Sequence, residues 1–470
     1  MTSHYLPGFS ATDSPYRAFR ECRSGVNDET PHEIPMTTIV DKDGSILFET
    51  EFGALLQTIV RQNDVAALEQ YLAKAPLAIG SGEEPPKYDD VFSIAAQSGS
   101  VDVLRILLER YSVSTTQTTL LQKRGLLLLH VASDCGQPQV VQFLLDNYPA
   151  YADIHVRDES GYTAIGSAAS LDGSGHFDFV WERESPDRSE QVMDLLLDRG
   201  ASASDVVLRP RSWGERPEII CDTVLTLAAR WARPQLIQRL IDGGADAQAK
   251  TSHADFSWED NTENDIGDAT AVFTSSLFAN VDAIKVLLDC RGPGIDISDM
   301  VSCRDSQGRL PLHWAARKLI PDEIRRIPAS KLRENAQRIM GTLELLLEAN
   351  PSTINIQDNK GNTPLHYAAQ HYGQLGKEHN EIFKFLCDRG ADASLRNKKR
   401  ETPLHSLCCR TSGGLPIDVA AITILLEHSA KTTDADRDGN TPLHQMVSTL
   451  HNLEAAEFLV SHDADVSAKN

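Results

Sequence analysis

The sequence predicts an all-α solenoid of about ten helix-turn-helix units joined by β-turn fingers, with some units expanded by insertions. Three observations predict it. The stretch from Asp358 to His366 (Asp-Asn-Lys-Gly-Asn-Thr-Pro-Leu-His) returns at Asp436 to His444 and, with Arg400 for the glycine, at Asn397 to His405, so that His366, His405 and His444 stand 39 residues apart. From Val101 to Leu108 apolar residues recur at three- and four-residue intervals, the pattern of a helix with one covered face. Eleven positions separate a small residue near the end of the first helix from an apolar one in the second, as in Val60 to Tyr71, Ala96 to Leu107, Ser133 to Leu144, Ala229 to Leu240, Ser276 to Leu287 and Val447 to Phe458.

Each element of the repeated stretch answers a local demand. Asp358 to Gly361 is turn chemistry, with glycine where a positive φ is cheapest. Thr363 is expected to cap a helix with its hydroxyl, Pro364 suits the first helical position, where no amide donor is needed, and Leu365 points inward. Ala368 and Ala369 then let the helices approach. A Thr-Pro-Leu-His tetrapeptide followed by two helices at fixed period resembles the ankyrin repeat, a stacked array in which each unit contacts its neighbours. Weaker copies place units near residues 52–75, 88–111, 127–150, 158–201, 222–246, 268–292, 305–352, 358–392, 397–431 and 436–466, an array over 46–470. Residues 1–45, with Pro7, Pro15, Pro31 and Pro35 and no periodicity, are expected to form a disordered arm. Its Tyr5, Phe9, Tyr16 and Phe19 fit either a docking peptide or a segment folded back on the first unit.

Composition narrows the function classes. The 470 residues carry a formal charge of −22, a field that repels phosphate backbones, so no direct nucleic-acid contact is expected. The cluster Arg396 to Arg400 reads as a solvated turn rather than an import signal. No apolar run approaches the roughly 18 residues of a membrane span, and no secretory signal opens the chain, so it is expected inside the cell, in cytoplasm, nucleus or both. The 8 cysteines include no Cys-x-x-Cys and are expected to be thiols serving as small buried hydrophobes.

The familiar catalytic signatures are missing from the sequence. His130, His313, His366, His405 and His444 sit one per unit, too far apart across stacked helices to share a metal, and the resemblance implies hydrogen bonding near the helix start. There is no phosphate loop, no nucleophile elbow and no His-Glu-x-x-His. The expectation is therefore no enzyme, no cofactor and no metal.

Insertions mark where backbone reaches solvent. Between helices they fall at Ala169 to Leu196 and Ala316 to Leu346; between units they fall at Gly200 to Thr223 and Gly244 to Thr270, two consecutive fingers expected side by side. The second finger holds Asp255, Glu259, Asp260, Glu263, Asp265 and Asp268 without lysine or arginine, interleaved with Phe256 and Trp258. The first adds Trp213. Two positions that face the concave side in ankyrin folds hold Arg230-Trp231 and Leu277-Phe278. Trp213, Arg230, Trp231, Phe256, Trp258, Glu259, Asp260, Leu277 and Phe278 are thus the candidate partner-binding residues, aimed at a protein with a basic surface.

The resemblance implies a non-catalytic protein-protein interaction scaffold. The specific role favoured is a regulatory adaptor such as a transcriptional co-regulator acting through a DNA-binding partner; the alternatives are a cytoplasmic adaptor presenting substrates to a ligase or kinase, and an enzyme with a site hidden in an insertion. Two further expectations follow from the residues. The insertion 319–336 should extend the second helix of its unit as a solvated segment, dispensable for folding, with Lys331, Arg333 and Arg338 open to an acidic partner. The last helix, crowded with Leu453, Ala455, Ala456, Phe458, Leu459 and Val460, should fray or self-associate through the C-terminal repeat.

Overall fold

The computed structural model describes residues 15–16, 19, 38–48, 53–74, 91–111, 128–149, 152–170, 186–209, 219–257, 262–292, 294–317, 329–370, 372, 378–409, 417–447 and 452–469. They form two compact blocks, one holding the helices up to Ala201 and one holding those from Ser202 onwards.

In the first block a hairpin of β1 (Thr38–Val40) and β2 (Ile46–Phe48) precedes four helix pairs. These are α1 (Ala54–Arg61) with α2 (Val65–Lys74), α3 (Val91–Ser98) with α4 (Val101–Tyr111), α5 (Leu128–Asp134) with α6 (Pro138–Asn147), and α7 (Ala164–Ser170) with α8 (Pro186–Asp198). First helices α1, α3, α5 and α7 stack in chain order, and second helices α2, α4 and α6 do the same. Leu55, Ile59, Leu104, Leu107 and Leu144 are fully covered by this stacking.

The hairpin corrects the expectation of disorder through residue 45. Ile39 and Leu47 are buried, and both the N–H and the C=O of Val40 are met by the side-chain amide of Gln70 in α2, at 3.1 and 3.2 Å. Strands of three residues are too short to show alternation in the sequence. Tyr16 and Phe19 are buried and the Tyr16 hydroxyl donates to Asp64 at 3.2 Å, so this part of the arm folds back on the first helix pair. Tyr5 and Phe9 lie outside the described residues.

The second block opens with two hairpins and their helix pairs: β3 (Val206–Arg209) and β4 (Ile219–Thr223) before α9 (Val224–Ala228) and α10 (Pro234–Asp242), then β5 (Thr251–Ser257) and β6 (Thr262–Ala269) before α11 (Ala271–Leu277) and α12 (Val281–Asp289). After the short α13 (Ile297–Ser302) come α14 (Pro311–Ala316) with α15 (Ala329–Ala349), α16 (Pro364–Gln370) with α17 (His379–Asp388), α18 (Pro403–Cys408) with α19 (Val419–Glu427), and α20 (Pro442–Val447) with α21 (Leu453–Ser461). First helices again pack on first helices and second on second.

The repeated turns carry the stacking. Asp358 Oδ1 accepts the N–H groups of Lys360 and Asn362, both at 2.8 Å, and Asp305, Asn397 and Asp436 repeat that geometry. Consecutive turns then join edge to edge: Asn359 N–H donates to Gln307 O at 2.9 Å, Lys398 N–H to Lys360 O at 2.9 Å, and Arg437 N–H to Lys399 O at 2.8 Å. Gly361 meets two demands at once. Its φ is +82°, and a Cβ there would lie 2.8 Å from Lys398 N, so the turn needs glycine for its neighbour's approach as well as for its own conformation.

The histidines join the same scaffold. The N–H of Thr363 donates to His366 Nδ1 at 3.1 Å, and the Thr363 hydroxyl lies 2.8 Å from the same nitrogen. Since a backbone N–H can only donate, Nδ1 is the acceptor, and the ring proton sits on Nε2, which donates to Glu401 O of the next turn at 3.1 Å. His313, His405 and His444 make the same pair of contacts, to Asn362 O, Asn440 O and Ala468 O. The expected threonine cap is thereby corrected: where histidine is present the threonine hydroxyl faces the imidazole. Where Thr226 stands in place of the histidine, the Thr223 hydroxyl takes up a backbone N–H instead, that of Thr226 at 3.0 Å.

Helix α15 starts at Ala329 and runs for 21 residues, lengthened by the insertion as expected. It is not a solvated extension throughout. Asn335, Ala336 and Ile339 are buried, and Arg338 Nε donates to Ala279 O at 3.2 Å. Burial lowers the Arg338 guanidinium pKa, and the group is committed to its own chain rather than open to an acidic partner. Arg333 pairs with Glu378 at 3.3 Å on the surface, and residues 319–328 lie outside the described residues. Deletion of 319–336 therefore removes core.

Among the described cysteines Cys387 and Cys408 are buried thiols, whereas Cys409 is exposed because it falls in the turn that ends α18. At the carboxyl end Val466 is 72% exposed although its counterpart Ala393 is fully buried, and Leu453 is 69% exposed. This face has the apolar character that interior repeats bury against the next one. Hydrogen exchange is expected to find residues 441–470 among the least protected of the chain, and uniform protection in a strictly monomeric sample would contradict it.

Candidate protein-binding surface

The surface is assembled where hairpins meet helix ends. Strand β4 lies against β5, so the two fingers stand side by side. β3 pairs with β4 from Val206↔Thr223 to Arg209↔Ile219, and β5 with β6 from Thr251↔Ala269 to Ser257↔Thr262, each with one register shift. Phe256 falls in β5 opposite Glu263 in that register. At the base of the second hairpin the N–H of Gly267 donates to Ser306 Oγ at 2.8 Å, and the N–H of Ser306 returns a bond to Gly267 O at 2.9 Å.

Strand β4 hands directly to α9 through a reciprocal cap. Thr226 stands where other repeats carry histidine; its hydroxyl accepts the N–H of Thr223 at 2.8 Å and donates to Asp222 at 3.1 Å. Asp222 also accepts from Arg230 Nη2 at 3.3 Å, with only 13% of the arginine side chain and 7% of the aspartate side chain exposed. The Arg230 guanidinium sits 5.6 Å from the centre of the Phe278 ring, at the end of the next first helix. Asn280 locks the same junction, its amide donating to Ala229 O and Ala232 O at 3.2 and 3.0 Å.

Arg230 and Phe278, separated by 48 positions in the sequence, are therefore brought together. Leu277 packs against Ala269, Phe273 and Trp314, and Trp231 is half-buried in the turn after α9. Trp213, Trp258, Glu259 and Asp260 lie outside the described residues, and Phe256 is placed by its backbone alone. Two residues that the sequence did not single out, Asp222 and Asn280, organise the cluster. Their signal was faint: threonine in the histidine position announces a different cap, but nothing local names the arginine that shares it.

No group of three or more His, Cys, Asp or Glu among the described residues is placed to hold a metal. No helix among them is long and apolar enough to cross a membrane.

The model of the ankyrin repeat family matches residues 59–182 and 374–470. Among curated proteins, the chain is 26% identical over 210 residues to the ankyrin repeat protein nuc-2 of Neurospora crassa, covering 45% of this chain and 16% of that one. It is 30% identical over 118 residues to the ankyrin repeat protein OPG189 of Variola virus, covering 25% and 20%, and 26% identical over 221 residues to inversin of Canis lupus familiaris, covering 47% and 15%. The chain thus spans no more than a fifth of the length of these relatives. With helix pairs stacked first on first and second on second, turns laddered edge to edge, and Thr-Pro-Leu-His caps at 363–366, 402–405 and 441–444 each reaching the turn that follows, these matches identify the chain as one that carries ankyrin repeats.

Proposed function

We propose that the chain is a non-catalytic protein-protein interaction scaffold. Its binding surface is formed by the hairpins β3–β4 and β5–β6 with Trp231, Leu277 and Phe278 at their base. The observation that carries this reading is the half-exposed Phe278 ring under the Arg230 guanidinium, which Asp222 holds in place: a fixed aromatic anchor beside acidic strands is the composition of an interface centre with a steering rim. Arg230 acts by position, since its charge is already met by Asp222. The role is that of a regulatory adaptor, such as a transcriptional co-regulator working through a DNA-binding partner. The net charge of −22 supports a basic protein partner and disfavours direct contact with nucleic acid.

The test uses the full chain as bait and compares the partners recovered by the parent with those recovered by Trp231→Ala and Phe278→Ala. Binding of partners is expected to fall about tenfold or more, equivalent to about 1.4 kcal/mol, with the melting temperature almost unchanged. Loss of stability with normal binding by the folded fraction would make the cluster internal packing and place the interface elsewhere.

A further inference from the structure

We propose that the outer edge of β6 takes up an extended basic peptide segment as a third strand. The proposal rests on the scaffold reading above and names the class of partner this site fits. Strand β6 runs for 8 residues, Thr262–Ala269. On one side it is paired with β5 from Thr262 to Ile266 and again at Ala269, with a bulge at Gly267 and Asp268 between, and β5 in turn lies against β4. On its other side the neighbouring turn, Asp305 to Arg309, reaches only Gly267, through the two bonds with Ser306. Beyond Gly267 the hairpin outgrows its neighbour, and among the described residues β6 pairs with no strand but β5.

An unpaired strand edge is a template for another strand, and proteins usually blunt it with proline, lysine, a bulge or a very short edge. From Thr262 to Ile266 the chain reads Thr-Glu-Asn-Asp-Ile, with neither proline nor lysine. What guards this edge is charge, and charge also selects the occupant. The segment 253–268 carries Asp255, Glu259, Asp260, Glu263, Asp265 and Asp268 and no lysine or arginine. Two copies of β6 laid edge to edge would set like charges opposite one another, which is destabilising, whereas a strand with lysine or arginine at alternate positions sets opposite charges there. Main-chain bonds then supply affinity that is independent of sequence, and the alternating cations supply the choice of partner.

The probe is a fluorescent peptide of 8 residues, the length of β6, alternating lysine and valine, titrated into the full chain. Saturable binding is expected, weakened by salt as exposed charge pairs are screened, with no binding by the matching glutamate–valine peptide. Two N-methylated versions, blocking the donors on one edge or the other, separate strand addition from charge attraction: one is expected to lose at least about tenfold and the other almost nothing. Glu263→Lys with Asp265→Lys is expected to weaken the unmodified peptide by a similar factor while helix content stays unchanged. Equal binding of both methylated peptides and the parent, or undiminished binding by a folded double variant, overturns the proposal. A concentration-dependent dimer abolished by the double variant also overturns it, assigning the edge to a second copy. If the peptide fails while Trp231→Ala still loses its partners, the scaffold reading stands and the strand-addition inference alone falls.

Discussion

Replacing Asp305 by alanine is expected to destabilise the second block by about 3–5 kcal/mol, the range found when one member of a buried ion pair is removed. The Asp305 side chain is fully buried and bonds at both oxygens. Oδ1 accepts the N–H of Gln307 at 2.9 Å and of Arg309 at 2.8 Å, which closes the turn. Oδ2 accepts Arg309 Nε at 2.8 Å and Trp314 Nε1 at 2.9 Å, and the Arg309 guanidinium lies 5.3 Å from the Trp314 ring centre. Alanine would take the shared acceptor away from all of these donors, one of them a guanidinium that is 95% covered. Asp305→Asn keeps an acceptor for the turn and is expected to lose less. Because repeats touch only their neighbours, the damage should appear as early unfolding around α14 rather than a uniform shift. Denaturant unfolding followed by hydrogen exchange reads both the size and the place of the loss; a variant matching the parent in both would refute this account of the turn.

Acid is expected to weaken the same block between pH 6.5 and about 4. Burial holds His313 and His366 down to about 4, and it lowers His405 as well, because each imidazole is enclosed between two repeats. The folded value lies below the unfolded one, so the unfolded chain binds more protons through that window and stability falls as pH falls. The loss is complete once the folded rings protonate near 4. Structurally, a proton on Nδ1 would face the N–H of Leu310 or Thr363, replacing an acceptor with a second donor. At about 1.4 kcal/mol per pH unit of displacement, His313 and His366 together put on the order of 7 kcal/mol at stake. Thermal midpoints at pH 7 and pH 4.5 check the direction. His313→Gln with His366→Gln is expected to flatten the slope across the window while lowering stability at pH 7, since glutamine can meet one partner but not both. An unchanged slope would place the acid sensitivity in other groups.

What could be read from the chain was whatever neighbouring residues decide among themselves. The Asp-x-x-Gly turn, proline at the first helical position and the three- and four-residue apolar rhythm each depend on contacts within one repeat, so they survive as patterns. The helix bounds at Pro364, Pro403 and Pro442 follow from them directly. Even the long fingers were legible, as departures from the repeat spacing. The stacked tertiary structure decided what those residues touch. It gave the histidine a carbonyl in the next turn, made Gly361 necessary to Lys398, buried Ala336 and Ile339 of an insertion that looked solvated, and committed Arg230 to an aspartate on the preceding strand. A hairpin of two three-residue strands held by Gln70 left no local trace at all. The division has a physical basis. Turns and caps are short-range hydrogen-bonding problems with few solutions, whereas the partner of a buried polar group is chosen by desolvation: once stacking removes water, each donor must find whichever acceptor the neighbouring repeat brings within reach.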